Sequence, residues 1–372
     1  MSGSPPRRSE KAARIFPRAA RALAGAVILT ASVAALYEPA ATPDTDLLKN
    51  DRPVSERDPA RAVLYQGRGI QLVKDGKLES ALDQFHRAAA YDPLNISVVI
   101  NIAYVLDKLG RYQEAIDELK GAEKIDSRNV MIYLNWGNSL INMKKYTEAL
   151  EPLQKAVDLD PSNQLAYVNL GAALNDLGRY REAAAKFEKA IELDPKNVAL
   201  IFSLAGIWSS LGEGEKAVER YEQVIHLDPS NELAYVNLGS AFNHLGRYQK
   251  AAGALQKAVE LDPHNVAVIS ILAGLWSSHG EVEKAIALYE QVIELAPKNL
   301  SAYYNCAALY EKQGNLDAAI DKIRAAIKID PDNAMLRELF SRLLAARARQ
   351  NPANSTPSVN EPAPLPAPGA SH

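Results

Sequence analysis

A single cysteine, Cys306, among 372 residues excludes an intrachain disulfide framework and every multi-cysteine zinc site. Aromatic residues make up only 7% of the chain, and neither sign of charge dominates: Lys and Arg number 42, Asp and Glu 45, for a net charge of −3. A protein that lives on nucleic-acid phosphates needs clustered Lys and Arg in excess, so a nucleic-acid partner is not expected. The six histidines, His86, His226, His244, His264, His279 and His372, form no HExxH or other ligand-spaced cluster. No Gly-rich phosphate loop or dinucleotide fingerprint occurs either. The chain therefore reads as a non-enzyme with no cofactor, no metal and no small-molecule substrate. With 47% hydrophobic and 23% charged residues, the bulk of it has the composition of a soluble globular protein.

Long uncharged runs are equally scarce, and the one that stands out lies near the start. Residues 1–21 hold Arg7, Arg8, Lys11, Arg14, Arg18 and Arg21 against Glu10 alone, a net +5 that leaves −8 for everything after them. The uncharged stretch Ala22 to Tyr37 follows. As a helix at about 1.5 Å per residue it would span roughly 24 Å, short of a bilayer core of roughly 30 Å. A cleaved signal peptide with its site at Val33-Ala34-Ala35, an uncleaved anchor extended by Arg21 and Tyr37, and an Arg-rich transit sequence all compete for this segment. The expectation is an anchor over residues 22–37, with export after cleavage as the alternative. Basic residues before the apolar run keep the N-terminus cytoplasmic and send the acidic body across the membrane, which in a bacterium is the periplasm. The Pro- and Asp-rich stretch over 38–61 reads as a solvated linker.

From Ala62 the sequence repeats every 34 residues, with units starting at Ala62, Ile96, Val130, Gln164, Val198, Glu232, Val266 and Leu300, the last ending at Asn333. Seven units close on Asp-Pro-x-Asn or a near variant, with prolines at Pro93, Pro161, Pro195, Pro229, Pro263, Pro297 and Pro331; Ser127 replaces proline in the second. Each proline ends a helix, and the asparagine two residues on is placed to cap the next. Mid-unit glycines such as Gly76, Gly178 and Gly314 supply the left-handed residue that stops the first helix; Lys144 stands there in the third unit. Tiny residues recur at one slot of the first helix (Gly69, Ala103, Gly137, Gly171 and onward) and at another of the second (Ala81 to Ala319), letting paired helices approach closely. The stretch 334–350 is amphipathic and reads as a capping helix. The Pro-, Ser- and Ala-rich tail over 351–372 has nothing with which to build a core.

Leu-Gly in the first helix, Gly-x-Tyr at the turn, Ala in the second helix and Pro near its end, as in Tyr167 to Pro195, resemble the tetratricopeptide repeat family. The resemblance implies an all-α, right-handed superhelical solenoid of eight helix-turn-helix repeats over 62–333, whose first helices line a concave face. At the sixth position of each unit stand Gly67, Asn101, Asn135, Asn169, Ser203, Asn237, Ile271 and Asn305. An asparagine offers both a donor and an acceptor to the backbone of an extended peptide. This row is similar to the asparagine ladder of the O-linked N-acetylglucosamine transferase superhelix, although no stretch of the chain is left for a transferase domain. With Asn138, Asn175 and Asn243 on the same face, these asparagines are the candidate peptide contacts. The second and fifth slots hold no cation, so a clamp for a C-terminal carboxylate is not expected. The function these features imply is a scaffold, tethered or exported, that binds extended segments of other proteins. A substrate-recognition subunit for a separately encoded enzyme, such as a glycosyltransferase, is the alternative.

Overall fold

The computed structural model describes residues 57–350, and among these the chain is all-α. Seventeen helices follow one another, sixteen of them as eight pairs. The described residues fall into two compact units, divided after Pro229. In the first unit the pairs are α1 (Pro59–Lys74) with α2 (Leu78–Tyr91), α3 (Ile96–Lys108) with α4 (Tyr112–Ile125), α5 (Val130–Asn142) with α6 (Tyr146–Leu159), α7 (Gln164–Asp176) with α8 (Tyr180–Leu193), and α9 (Val198–Ser210) with α10 (Gly214–Leu227). The second unit holds α11 (Glu232–His244) with α12 (Tyr248–Leu261), α13 (Val266–Ser278) with α14 (Val282–Leu295), α15 (Leu300–Lys312) with α16 (Leu316–Ile329), and α17 (Ala334–Gln350). The N-terminal basic region, the apolar segment 22–37, most of the linker and the tail lie outside the described residues. α1 starts at Pro59, capped by Asp58, so the first helix takes in the last three residues of the expected linker.

The repeat chemistry acts as its residues require. Asn163 caps α7 by accepting the backbone N–H of Ala166 at 3.1 Å, and Asn95, Asn197, Asn231 and Asn299 do the same for their helices. At the end of α7, Gly178 sits at φ +75°, and the N–H of Arg179 returns to the Leu174 carbonyl at 2.9 Å, the six-to-one bond of a left-handed helix stop. Lys144 adopts the same backbone, φ 60°, without glycine's freedom. The residue before each turn proline is extended, as at Asp160 (φ −138°, ψ 89°). Asp126 is equally extended (φ −142°, ψ 92°) ahead of Ser127, so the turn survives the missing proline.

The core runs along each unit between paired helices. Every alanine of the second-helix slot, from Ala81 to Ala319, is fully buried. Opposite the small residues of the first helix lie rings and leucines: a Cβ added at Gly171 would come within 2.6 Å of Phe187, and one at Gly137 within 2.4 Å of Leu153. α17 closes the second unit by packing Leu336, Leu339 and Leu343 against α16.

Candidate binding face

Successive first helices of the first unit touch, α3 against α5 and α5 against α7. That contact decides the fate of the sixth slot. Asn101 is wholly buried, and Asn135 and Asn169 are 6% and 3% exposed, so these three lie in the seam between helices rather than on an open groove. Asn135 spends its amide on the Met131 carbonyl of its own helix, at 2.8 Å. The sequence marks these three as candidate peptide contacts, and packing leaves little of their side chains at the surface. In the second unit Asn237 and Asn305 are half-buried, and Asn305 is hydrogen-bonded to Tyr289. Asn138 and Asn175 are also half-buried, whereas Asn243 is exposed.

What remains accessible is set by the ninth, twelfth and thirteenth slots. Here the first unit carries a polar cluster that links two repeats. The Asp107 carboxylate at the end of α3 accepts from Ser139 Oγ at 2.6 Å, from Asn142 Nδ2 at 2.7 Å and from Asn138 Nδ2 at 3.1 Å, all three donors on α5. Burial pushes the Asp107 carboxyl above the ordinary aspartate value, while the hydrogen bonds and nearby Lys108 pull it down. One repeat further on, Asp176 is hydrogen-bonded by Tyr146 and by its neighbour Asn175. No single-unit motif signals the Asp107 cluster, because its members lie 31 to 35 positions apart and meet only through packing.

The remaining reactive side chains are accounted for locally. Cys306 is buried, its Sγ 3.5 Å from Glu290 Oε1, and burial together with that carboxylate pushes its thiol up to about 12. At neutral pH it is a thiol and no nucleophile. Trp208 and Trp276 hold equivalent slots in the fifth and seventh repeats, each beneath a lysine: Lys216 at 4.2 Å and Lys284 at 4.4 Å from the ring centres. A repeated cation–π pair explains both. His279 stacks on Tyr248 with ring centres 4.5 Å apart, and His244 bonds the Ser240 carbonyl. Among the described residues no group of three His, Cys, Asp or Glu side chains is placed to hold a metal ion. Nor is any described helix long and apolar enough to cross a membrane.

Paired antiparallel helices stacked at a 34-residue period, with asparagine caps and glycine stops, define a helical-repeat protein. One tetratricopeptide repeat family model matches residues 134–198 and 210–266, and a second matches 72–129 and 277–346. The chain belongs to the tetratricopeptide repeat family, and the matched models describe repeats alone. No curated protein matches it. Among solved structures, the C-terminal part of a TPR repeat-containing protein from Cytophaga hutchinsonii superposes with a TM-score of 0.57 at 19% identity, covering 64% of this chain and 98% of that one. MamA from Desulfovibrio magneticus gives a TM-score of 0.43 at 24% identity, over 46% of this chain and 97% of that one. YrrB, described as a TPR protein with an unusual peptide-binding site, gives 0.42 at 23%, over 53% and 98%. The first of these shows the fold alone.

Proposed function

We propose that this protein is a non-catalytic scaffold that binds extended segments of other proteins along the first-helix face of its repeats. The observation that carries the reading is the composition of what stays accessible there. Asn138, Asn142, Asp107 and Asn175 on the first unit, and Asn243 and His244 on the second, set amides and a carboxylate among apolar neighbours. Groups that both donate and accept suit a peptide backbone regardless of its side chains.

Photo-crosslinking in native cells tests this. The full chain carries p-benzoylphenylalanine at Asn175 or Asn243 on the proposed face, or at Gln256, which is exposed on second helix α12. Discrete adducts from the first two positions and none from Gln256 are expected. Equal labelling at all three overturns the reading.

The same proposal places the scaffold at a membrane through residues 22–37, with the repeats on the far side from the cytoplasm. Its support is the charge asymmetry: six basic residues immediately before the apolar run, and an acidic body after it. Alkaline extraction of native membranes should leave the full chain in the pellet and release a chain lacking residues 1–37. Release of both would sink the tether.

A further inference from the structure

The ninth slot of a unit, one of those left accessible on the first-helix face, bears a side chain in six of the eight repeats, from Ile70 to Ala308. The fifth and seventh repeats place glycine there, Gly206 and Gly274. The same two repeats also differ from the rest at the twenty-fourth slot, on the second helix. Elsewhere that slot is phenylalanine, leucine or isoleucine, whereas here it is Tyr221 and Tyr289. The two changes meet in space. Outside the adjoining backbone, a Cβ built at Gly206 has one neighbour within 4 Å, the Tyr221 hydroxyl at 3.9 Å; at Gly274 it is the Tyr289 hydroxyl at 3.7 Å. The absent side chain therefore leaves a gap bordered by a phenol, and Gly206 itself is half-exposed.

The two phenols differ in what they have to bond. Tyr289 is hydrogen-bonded to Asn305 of the following first helix. Tyr221 is 2% exposed, its ring edge-to-face with Phe202 at 5.6 Å between centres, and its hydroxyl has no hydrogen-bond partner among the described residues. Its oxygen is nevertheless not fully enclosed. Burial alone pushes that phenol above the ordinary tyrosine value, and no nearby charge acts on it. An unbonded hydroxyl in a packed interior is costly, so a tyrosine where six repeats use an apolar side chain calls for an acceptor. Beside it, exposed Ser210 donates its hydroxyl proton to the Gly206 carbonyl at 3.0 Å, which leaves the lone pairs of its oxygen to accept. Gly206 is thus flanked by an unpartnered donor and an exposed acceptor.

We propose that Gly206, Tyr221 and Ser210 form a subsite that grips the main chain of an extended peptide, the Tyr221 hydroxyl donating to a peptide carbonyl and Ser210 Oγ accepting a peptide N–H. The inference rests on the function proposed above and adds the place at which the backbone is held. A methyl at position 206 would stand in the gap that the hydroxyl borders, so glycine is what lets a peptide unit approach. The acceptor is neutral. A carboxylate would give up its hydration beside a phenol on which no cation acts, whereas an amide carbonyl loses far less on leaving water. The seventh repeat has the same gap but spends its hydroxyl on Asn305, so it lacks the unpartnered donor.

The full chain carrying 3-fluorotyrosine at position 221 alone reports on this hydroxyl by fluorine NMR, with the same label at position 289 as the control. The probes are the blocked pentapeptide acetyl-Ala-Ser-Gly-Ser-Ala-amide and sodium acetate. The peptide should shift the 221 resonance saturably and leave 289 unmoved, and acetate should move neither. Gly206→Ala fills the gap and should weaken the peptide about tenfold at 221, while the thermal midpoint rises because alanine is the better helix former. Ser210→Ala, at an exposed position, should weaken it as well. No peptide shift at 221, equal shifts at 221 and 289, a stronger response to acetate, or unchanged affinity in both variants overturns the proposal. Crosslinking at Asn175 keeps the two readings apart. Adducts there with no shift at 221 sink this subsite and leave the scaffold standing; a saturable shift at 221 with no adducts sinks the scaffold and leaves the subsite.

Discussion

At the residue scale, seven of the eight repeats stop their first helix with a glycine, and each of those glycines has a positive φ between 72° and 83°. Lys144 must adopt the same left-handed backbone with a Cβ in place, at a cost of about 1 kcal/mol. Nothing in the structure offsets this, since its side chain is exposed and the turn's own bonds, Lys144 N–H to the Ile141 carbonyl and Lys145 N–H to the Leu140 carbonyl, need only the backbone. Lys144→Gly should therefore stabilise the protein by about 1 kcal/mol, seen as a higher urea midpoint. A lower midpoint would mean that the lysine side chain holds the turn in a way the geometry does not reveal. The buried asparagines illustrate the complementary case. Asn101, Asn135 and Asn169 share the polarity of a ligand contact, but packing turns that polarity inward.

At the scale of the element, small residues of each first helix pack against large ones of its partner. Glycine at the eighth slot faces a phenylalanine in two repeats, Gly69 with Phe85 and Gly171 with Phe187, and a leucine in two others, Gly137 with Leu153 and Gly239 with Leu255, while Ala103 occupies that slot opposite Leu119. Close packing makes such choices interdependent. Gly171→Ala places a methyl 2.6 Å from the Phe187 ring and should cost roughly 1–3 kcal/mol. Adding Phe187→Leu reproduces the combination at Ala103 and Leu119 and should restore part of the loss. A double-mutant cycle by denaturant unfolding reads this coupling, and strict additivity would show that the two side chains do not meet.

At the scale of the whole molecule, stacked repeats bury their apolar faces on each other, so the last repeat needs a cover. α17 provides it: Leu336, Leu339 and Leu343 are at most 7% exposed, and each such side chain contributes roughly 1.5–3 kcal/mol when buried. A chain ending at Asn333 should lose amide hydrogen-exchange protection in α15 and α16 while α1 to α4 keep theirs, because stability in repeat arrays is carried by nearest neighbours. Unchanged protection in α15 and α16 would show that α17 caps nothing. Charge is also distributed at this scale, with net +5 in residues 1–21 and −8 in all that follows. That asymmetry rather than any single residue supports the membrane orientation proposed above.

The 34-residue period, the capping asparagines, the stopping glycines and the paired small residues are local demands of backbone and helix contact, and they were legible residue by residue. Helix pairing, the eight repeats and the cap over 334–350 follow from them, because each signal acts within one unit or between neighbours in sequence. Tertiary structure alone decided which polar residues meet solvent. Three successive first helices, α3, α5 and α7, pack so that Asn101, Asn135 and Asn169 are buried, and contact between α3 and α5 gathers Ser139, Asn138 and Asn142 onto Asp107 from a different repeat. Such contacts depend on the positions of side chains some thirty residues apart, and no periodicity within a single repeat encodes them.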